Sequence, residues 1–303
     1  MKTEAVVCTF YLMRILLTGA SGFIGSHFID NLQNHEVVAV TRAPLTRSAA
    51  YVTNVVAEHS DTSALRDALK GCQSVIHLAA QSSPQRAAED PTECIESNVT
   101  FTTQLAHLAY LEQVPHFVLA SSALVYGSPE KLPITELTPV APAGVYGASK
   151  IAAEVVLRQI HPNVAVLRIF NVFGPRQTGT LIPALIEKIA AGEQPTLQGD
   201  GSQIRSFLFI KDCVDALLRT VETGYTGTLN IAGHKASIIE VFQYVADALG
   251  VSIEPVFGPG RQNDAPANWA SHLGAFTALG WAPNTALSEG IAITVKGFRD
   301  NLN

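Results

Sequence analysis

A tyrosine and a lysine four residues apart are the side chains of this sequence best suited to proton-transfer chemistry. They are Tyr146 and Lys150, in the segment Tyr-Gly-Ala-Ser-Lys, and on a helix they would share one face, one turn apart. An ammonium near a phenol favours the phenolate, so the tyrosine pKa can fall from about 10 toward neutrality. Such a pair suits a sugar hydroxyl or a carbonyl. The same spacing occurs by chance on exposed helix faces. The surrounding elements must therefore decide whether this is a reactive pair or a chance one.

The composition limits the class of protein and the kind of partner. The chain has 303 residues, of which 47% are hydrophobic and 15% charged, enough for one large α/β domain and a smaller one. A formal net charge of -6 argues against nucleic-acid and anionic-membrane surfaces. The four cysteines have no metal-ligand spacing, and we predict no metal site.

Neither a targeting segment nor a membrane segment is expected. No apolar run in the sequence reaches the roughly 18 residues that a membrane helix needs. The first dozen residues lack the charged and apolar regions of a signal peptide. We therefore expect a cytoplasmic protein, in which residues 1–12 form an extension ahead of Met13.

A glycine-rich turn near the N-terminus has the surroundings of a nucleotide site. A short apolar run, Arg14 to Thr18, leads directly into a Gly-x-x-Gly-x-x-Gly turn. Apolar residues at helical spacing follow, and a second strand is predicted from Glu36 to Thr41. Glycines permit the tight turn and let backbone N–H groups approach a pyrophosphate at the helix N-terminus. Strand, turn, helix and strand together predict a dinucleotide site.

This glycine spacing, followed by Tyr-x-x-x-Lys, resembles the extended short-chain dehydrogenase/reductase family and its NAD(P)-dependent nucleotide-sugar epimerases and dehydratases. Two later segments, from Gly260 to Ala270 and from Leu279 to Pro283, are similar to those of UDP-galactose 4-epimerases. The resemblance covers nearly all of residues 13–295. It implies an α/β fold with a doubly wound parallel sheet (Rossmann) and a smaller C-terminal substrate-binding lobe.

The same resemblance implies how the chain is divided. Residues 13–175 would form the dinucleotide-binding domain, rejoined by about 207–231. Residues 176–206 and 232–303 would form the nucleotide-sugar-binding lobe. Helices predicted at Pro91–Tyr110 and Gly147–Gln159 would pair two subunits into a homodimer, as in most family members.

The end of the second strand predicts the choice between NAD and NADP. An acidic residue there binds the ribose hydroxyl of NAD, whereas a basic residue accommodates the 2′-phosphate of NADP. Here the strand ends at Thr41 and Arg42 without an acid, so we favour NADP and keep NAD open. His77, inside an apolar strand, is expected to be a core residue. The predicted cofactor-binding residues are Gly19, Ser21, Gly22, Phe23, Ile24, Gly25, Thr41, Arg42, Leu78, Ala79, Ala80, Tyr146 and Lys150.

The resemblance also assigns catalytic positions. Ser122 corresponds to the family's catalytic hydroxyl and would act with Tyr146 and Lys150. Asn98 matches the family's Asn-Val-x-Gly-Thr segment, although Phe101 stands where glycine is usual. Asn98 would then join the hydrogen-bond relay of the active site; the alternative is a plain polar helix face.

The two positions after Ser122 argue against one reaction of this family. Related 4,6-dehydratases carry an acidic pair there, which is needed to protonate the leaving hydroxyl. In this chain the two positions are Ala123 and Leu124. We therefore predict that the protein does not catalyse a dehydration.

Two arginines are candidates for holding a diphosphate. By resemblance, Arg205 and Arg261 would grip it from separate loops, since guanidinium groups bind phosphate oxygens in a bidentate manner. Either arginine alone also fits a surface salt bridge. Asp264 would contact a nucleoside ribose. The predicted substrate-binding residues are Gln81, Ser122, Asn171, Arg205, Arg261 and Asp264.

Three functions follow from these residues, and we favour the first. A nucleotide-sugar epimerase, acting at C4 of a UDP-hexose, would use Tyr146 to accept the hydroxyl proton, with Lys150 and Ser122 supporting the charge. The segment around Arg261 favours it. An NADPH-dependent reductase of a nucleotide 4-keto-6-deoxysugar would run half of that cycle, and the basic end of the second strand favours it. A non-catalytic cofactor-sensing protein is the third, against which the intact catalytic set argues.

Overall fold

The computed structural model describes residues 13–32, 34–46, 49–260 and 265–300. The strands among them are β1 (Arg14–Thr18), β2 (Glu36–Thr41), β3 (Val52–Val56), β4 (Ser74–His77), β5 (His116–Ser122), β6 (Val164–Ile169), β7 (Val172–Phe173), β8 (Thr196–Gln198), β9 (Ile204–Phe209), β10 (Gly227–Ile231), β11 (His234–Ser237), β12 (Val256–Gly258) and β13 (Ala267–Asn268). The α-helices are α1 (Phe23–Asn31), α2 (Thr62–Leu69), α3 (Pro84–Glu89), α4 (Pro91–Ile95), α5 (Phe101–Leu111), α6 (Val145–Ile160), α7 (Leu181–Ala190), α8 (Ile210–Thr223), α9 (Ile238–Leu249), α10 (Leu273–Leu279) and α11 (Leu287–Asp300). A π-helical turn spans Glu96–Thr100, and a 3₁₀ turn spans Ala123–Tyr126.

Seven parallel strands form the main sheet, in the order β3, β2, β1, β4, β5, β6 and β10. The direction in which strands are added reverses beside β1. Thr18, at the end of β1, pairs with Val40 on one side and His77 on the other. Ligands of such sheets bind in the crevice outside the carboxyl ends of the strands at this reversal. The predicted doubly wound parallel sheet is confirmed.

Helices cover both faces of this sheet, so its central strands are apolar throughout. Ile15 and Leu17 of β1 pack in one core cluster with α1 and α8. Leu16 points to the opposite face and packs in a second cluster with α2, α5 and α6, because side chains of a strand alternate. The core therefore lies in two layers, one on each side of the strands whose ends form the crevice.

A smaller sheet follows the main one along the chain. β9 pairs with β11, β13 and β7, and β8 pairs separately with β12. Helices α7, α9 and α11 pack against one another in this part of the molecule. The segment predicted to rejoin the first domain at Phe207 begins within β9, a strand of the smaller sheet. The return to the main sheet is made by α8, which packs on α1, and by β10, which pairs with β6.

The helix predicted from Pro91 to Tyr110 is confirmed, and it runs on to Leu111. The π-helical turn joins α4 to α5 without a break in the helix. Such a turn widens the helix by one residue and occurs often at functional sites. Here it carries the buried Asn98. None of the described helices is long and apolar enough to cross a membrane.

Candidate active site

The glycine turn presents its backbone to the crevice. Gly19 has a φ of 71°, and a Cβ added there would lie 2.7 Å from the backbone nitrogen of Ala79. A Cβ added to Gly25 would overlap the carbonyl oxygen of Gly19. Gly22 caps α1 without a side-chain hydrogen bond, and the first turn of this helix has no acidic residue. The positive end of the helix dipole is thus left for an anion, which fits the pyrophosphate of a dinucleotide.

A cavity of about 480 Å³ lies over this turn, and we call it the glycine-turn cavity. The structure brings nearly all predicted cofactor residues to its wall, together with Gln81, which was predicted to bind substrate. Those residues are Gly19, Ser21, Gly22, Phe23, Ile24, Gly25, Thr41, Arg42, Leu78, Ala79, Ala80 and Gln81. Ala120, near the end of β5, lines the same cavity and connects it to the remaining two predicted residues, Tyr146 and Lys150.

Sequence reasoning missed several residues of this cavity. His59, in the turn after β3, stacks on Phe101 with ring centroids 3.8 Å apart and an angle of 8° between the planes. Burial, followed by the nearby Arg42 charge, lowers the pKa of His59. The signal in the sequence was Phe101 at a position where the resembled family has glycine. A pair of stacked rings thereby forms part of the wall next to the end of β3.

His77 is a fully paired core residue, as predicted. Thr102 donates its hydroxyl proton to the Asn98 carbonyl at 2.7 Å, so it accepts from His77 Nε2 at 3.0 Å. The other nitrogen, Nδ1, then accepts from the Thr18 hydroxyl at 2.7 Å. Burial lowers the pKa of His77 to about 3, and the ring stays neutral. Its role is to tie β1, β4 and α5 together beneath the cavity.

Tyr146, Lys150 and Ser122 meet where α6 crosses the end of β5. α6 begins at Val145, two residues before the predicted start at Gly147, so Tyr146 lies in its first turn. The Ser122 hydroxyl lies close enough to Tyr146 to lower the pKa of its phenol. Lys150 is buried and donates from Nζ to the carbonyl oxygen of Ala120 at 3.0 Å. The three residues predicted to act together are therefore neighbours.

The pKa of Tyr146 differs from the sequence expectation. Burial raises it above its ordinary value, and the hydrogen bond from Ser122 opposes that shift. Burial also lowers the pKa of Lys150 to about 8, against the opposing effects of Cys94 and Glu154. The tyrosine pKa in this structure is thus raised rather than lowered toward neutrality, because desolvation is the largest effect on the phenol.

Asn98 contacts the neighbours of the predicted relay. Its side chain accepts from the Gln81 backbone nitrogen at 2.8 Å and donates to the Gln81 carbonyl at 3.0 Å. It also donates to Ser149 Oγ at 2.9 Å, and Ser149 donates to the Tyr146 carbonyl at 2.8 Å. Asn98 is fully buried, so the alternative of a plain polar helix face is excluded. It links the wall of the glycine-turn cavity to the first turn of α6.

A second cavity, of about 570 Å³, lies between β7 and the start of α7, and we call it the lobe cavity. Asn171 and Arg205, both predicted to bind substrate, line it. Asn171 donates to the Ser206 carbonyl at 2.8 Å, and Arg205 donates to the Ile204 carbonyl at 2.8 Å. Sequence reasoning missed Lys188 and three glutamines in this wall. The predicted contacts Arg261 and Asp264 lie outside the described residues.

Comparison with known proteins decides the family. The model of the NAD dependent epimerase/dehydratase family matches residues 15–232, which is well over half of the chain. The chain belongs to this family. The matched range includes the glycine turn, Ser122, Tyr146 and Lys150. Within the described ranges, no group of three or more His, Cys, Asp or Glu side chains is arranged to hold a metal ion.

Individual members of the NAD dependent epimerase/dehydratase family match the chain over nearly its full length. It is 36% identical over 312 residues to the UDP-glucose 4-epimerase of Mycolicibacterium smegmatis, covering 95% of this chain and 99% of that protein. The UDP-N-acetylglucosamine 4-epimerase of Methanobrevibacter ruminantium M1, solved with UDP-N-acetylmuramic acid, has a TM-score of 0.90 at 28% identity, covering 96% and 99%. The UDP-glucuronic acid 4-epimerase of Bacillus cereus, solved with UDP-glucuronic acid and NAD, has a TM-score of 0.86 at 26% identity, covering 95% and 100%.

These comparisons confirm the extended short-chain dehydrogenase/reductase family and the predicted Rossmann architecture with its smaller lobe. The glycine turn, Ser122, Tyr146 and Lys150 lie within residues 15–232, whereas the two later segments, from Gly260 and from Leu279, lie beyond that range. Because the family is NAD dependent, the dinucleotide that fits the glycine-turn cavity is a nicotinamide dinucleotide.

Proposed function

We propose that this protein is an NAD(P)-dependent nucleotide-sugar epimerase that acts at C4 of a UDP-hexose. The proposal is carried by the position of Ser122 and Tyr146 between the two cavities. Ala120, two residues before Ser122, lines the glycine-turn cavity. Ser122 itself pairs in register with Ile169, two residues before Asn171 in the wall of the lobe cavity. A dinucleotide in one cavity and a nucleotide sugar in the other would therefore meet at Tyr146.

The chain's own residues supply the proton transfer and the charge stabilisation. Tyr146 accepts the proton of the C4 hydroxyl through its phenolic oxygen and later returns it to the same sugar oxygen. Ser122 donates a hydrogen bond to that oxygen and stabilises the charge that develops there. Because burial raises the pKa of Tyr146, its phenolate needs a positive charge nearby, and Lys150 on the same helix face supplies it. The nicotinamide cofactor, when bound, accepts the C4 hydride and gives it back.

The choice of a UDP sugar and of C4 is supported by the similar proteins. The Mycolicibacterium, Methanobrevibacter and Bacillus proteins are all 4-epimerases of UDP sugars, and their sugars differ at other positions. Ala123 and Leu124, in place of an acidic pair, support a reaction that keeps all hydroxyl groups. Incubation with UDP-glucose and UDP-N-acetylglucosamine, followed by chromatography, tests the proposal: conversion of at least one to its C4 epimer is expected.

The reductase remains the second candidate because of the basic end of β2. It would consume NADPH with a nucleotide 4-keto-6-deoxysugar and would leave the UDP sugars above unchanged. If both results are obtained, the protein is a reductase and the epimerase proposal is wrong. A non-catalytic function is not supported, since the neighbouring Ser122, Tyr146 and Lys150 and the family membership both favour an enzyme.

We infer that NADP is preferred over NAD as the cofactor. β2 ends at Thr41, whose hydroxyl accepts a 2.7 Å hydrogen bond from Asn54. The next residue, Arg42, is exposed in the wall of the glycine-turn cavity. A guanidinium there suits a 2′-phosphate, and the place of the acid that would bind the ribose hydroxyl is taken by the threonine. The Bacillus cereus protein was solved with NAD, so NAD is the alternative.

A homodimer formed through α4, α5 and α6 is also part of the proposal. These helices pack side by side and expose apolar side chains to solvent, including Ile95 at 43% and Val155 at 54%. Exposed apolar side chains grouped on neighbouring helices are typical of interaction surfaces. A second copy of the chain would bury this face in the way predicted from the family resemblance.

A further inference from the structure

Three consecutive residues near the end of β5 lie against three residues on one face of α6. Ala120 is hydrogen-bonded to Lys150 and Ser121 to Glu154, while Ser122 lies beside Tyr146. The three helix residues are four positions apart, so they lie in one row. The Ser121 hydroxyl donates to Glu154 Oε1 at 2.5 Å. Glu154 is therefore the third member of the row that carries the two reactive side chains.

Glu154 is a buried carboxylate with charged and polar donors around it. Only 1% of the residue is exposed. Arg168, from β6, donates to its two oxygens at 3.1 and 2.8 Å, and Arg158 lies 3.6 Å from Oε2. Charge-assisted bonds of this kind keep a buried carboxylate ionised. A fixed negative charge is thus held one turn beyond Lys150.

Arg168 cannot easily turn away from this carboxylate. Its Nη1 donates to the Tyr126 hydroxyl at 2.9 Å, and its guanidinium carbon lies 4.9 Å from the centre of the Tyr126 ring. Tyr126 in turn donates to Asn230 Oδ1 at 2.7 Å. Arg168 also pairs in register with Ser121 on one side and Asn230 on the other. The carboxylate is consequently anchored by a polar network that runs across β5, β6 and β10.

Stability of the fold alone does not account for this ion pair. Buried ion pairs can often be replaced by apolar residues of similar volume at no cost in stability. The charges that face Lys150 give a better account. Cys94 faces it from α4, His77 from β4, and Tyr146 and Glu154 lie along α6. His77 is neutral at physiological pH because burial lowers its pKa to about 3. Cys94 and then Glu154 are the two groups that raise the pKa of Lys150, and Glu154 is the carboxylate of the two.

We propose that Glu154, locked in place by Arg168, is a positioning residue for Tyr146 and Lys150 and balances the buried ammonium. Through Ser121 it fixes α6 on the end of β5, and through its charge it favours the protonated lysine. This inference rests on the proposed function only in assigning Tyr146 and Lys150 to the reaction. The charge of Glu154 matters most on the alkaline side, where Lys150 loses its proton.

Glu154→Gln tests the charge with little change in shape. Removing a nearby negative charge disfavours the protonated lysine, so the alkaline limb of kcat for UDP-glucose epimerisation should move to lower pH by about one unit. KM should stay within about twofold, because Glu154 lies behind Lys150 rather than in a cavity wall. Glu289→Gln, an exposed change on α11, is the matched control and should leave the limb in place.

The double variant Glu154→Leu with Arg168→Met provides a second test of the proposal if Glu154→Gln does not fold. It removes both charges, so a purely structural pair predicts a wild-type pH profile. The proposal predicts a shift of the alkaline limb in the same direction as in Glu154→Gln but smaller, because the positive charge of Arg168 is removed as well. NMR titration of lysine labelled with ¹³C at Cε, with the Lys150 signal assigned by Lys150→Arg, gives a readout that needs no turnover. A lower titration midpoint of Lys150 in either variant supports the proposal. An unchanged midpoint overturns it, even if the wild type proves not to be an epimerase.

Discussion

The Lys150 ammonium donates a 3.0 Å hydrogen bond to the carbonyl oxygen of Ala120, the residue through which β5 borders the glycine-turn cavity. The charge that should support the Tyr146 phenolate is therefore tied to the same strand end that carries Ser122. The cost of this arrangement is the burial of an ammonium, which lowers the pKa of Lys150 from 10.5 to about 8. Burying the Lys150 ammonium thus lowers the stability of the protein but places a positive charge beside the reactive tyrosine.

Lys150→Met should raise the stability of the protein at neutral pH while lowering its activity. The pKa of Lys150 is lower in the folded protein than in the unfolded chain, so the unfolded chain binds the lysine proton more tightly. At pH 7 this lowers the free energy of unfolding of the wild type by roughly 3 kcal/mol. As pH rises from 8 to 10.5 the wild type loses this penalty, and the two proteins converge. Urea unfolding at pH 7 and pH 10 measures the effect. The exposed change Lys70→Met should leave the free energy of unfolding unchanged. If Lys150→Met is less stable than the wild type at pH 7, the buried ammonium does not destabilise the protein as predicted.

Asn98→Asp should weaken cofactor binding and stability together. The carboxylate still accepts from the Gln81 nitrogen but cannot donate to the Gln81 carbonyl or to Ser149, and an unpaired buried group costs about 1–3 kcal/mol. Calorimetry with NADP⁺ and urea unfolding measure the two losses. Asn31→Asp, a change on the exposed end of α1, is the control. If Asn98→Asp binds NADP⁺ and unfolds like the wild type, the two hydrogen bonds between Asn98 and the Gln81 backbone do not have the proposed role.

Arg42→Asp should reverse the preference between the two cofactors. A carboxylate at the end of β2 accepts from the ribose hydroxyls of NAD and repels the 2′-phosphate of NADP. We expect the ratio of the two dissociation constants to change by about tenfold or more, on the scale of one charge-assisted contact. Titration of both oxidised cofactors into wild type and variant gives the ratio, with the exposed Arg66→Asp as control. An unchanged ratio means that Arg42 does not contact the 2′ position.

Val155→Glu should convert the proposed dimer into a monomer. A charge placed in the centre of an apolar interface must be desolvated without a partner, which strongly opposes association. Light scattering after size-exclusion chromatography gives the mass directly. Val251→Glu, at a similarly exposed position after α9, should leave the mass unchanged. A wild type that is already monomeric at micromolar concentration would contradict the dimer.

The sequence predicted those parts of the molecule that are encoded by local chemistry. Gly19 and Gly25 stand where a Cβ would collide with backbone, so only glycine fits and the motif is readable. Tyr146 could be singled out by its spacing to Lys150, whereas Ser122 was chosen over the neighbouring Ser121 by the family resemblance. The doubly wound sheet of the first domain was implied by the family resemblance that these motifs carry.

Other features depend on contacts between distant segments and could not be predicted. The π-helical turn at Asn98 adds one residue within the predicted helix and leaves the apolar pattern of Pro91–Tyr110 almost unchanged, so the turn could not be seen in the sequence. β9 joins the smaller sheet because of its partners β11 and β13, and a short strand does not specify its neighbours by itself. The carbonyl of Ala120 as the partner of Lys150 has no side-chain signature at all.

Epimerisation of UDP-glucose carrying deuterium at C4 tests the central claim most directly. Oxidation and return of the same hydride at this carbon predicts a C4-epimeric product that retains the deuterium, together with a slower rate than the unlabelled sugar. Tyr146→Phe, which removes the proton acceptor, should lower kcat by about 10²–10⁴-fold, whereas the exposed change Tyr110→Phe should not. Product with hydrogen from solvent at C4, or no epimer from any UDP-hexose, would contradict the account.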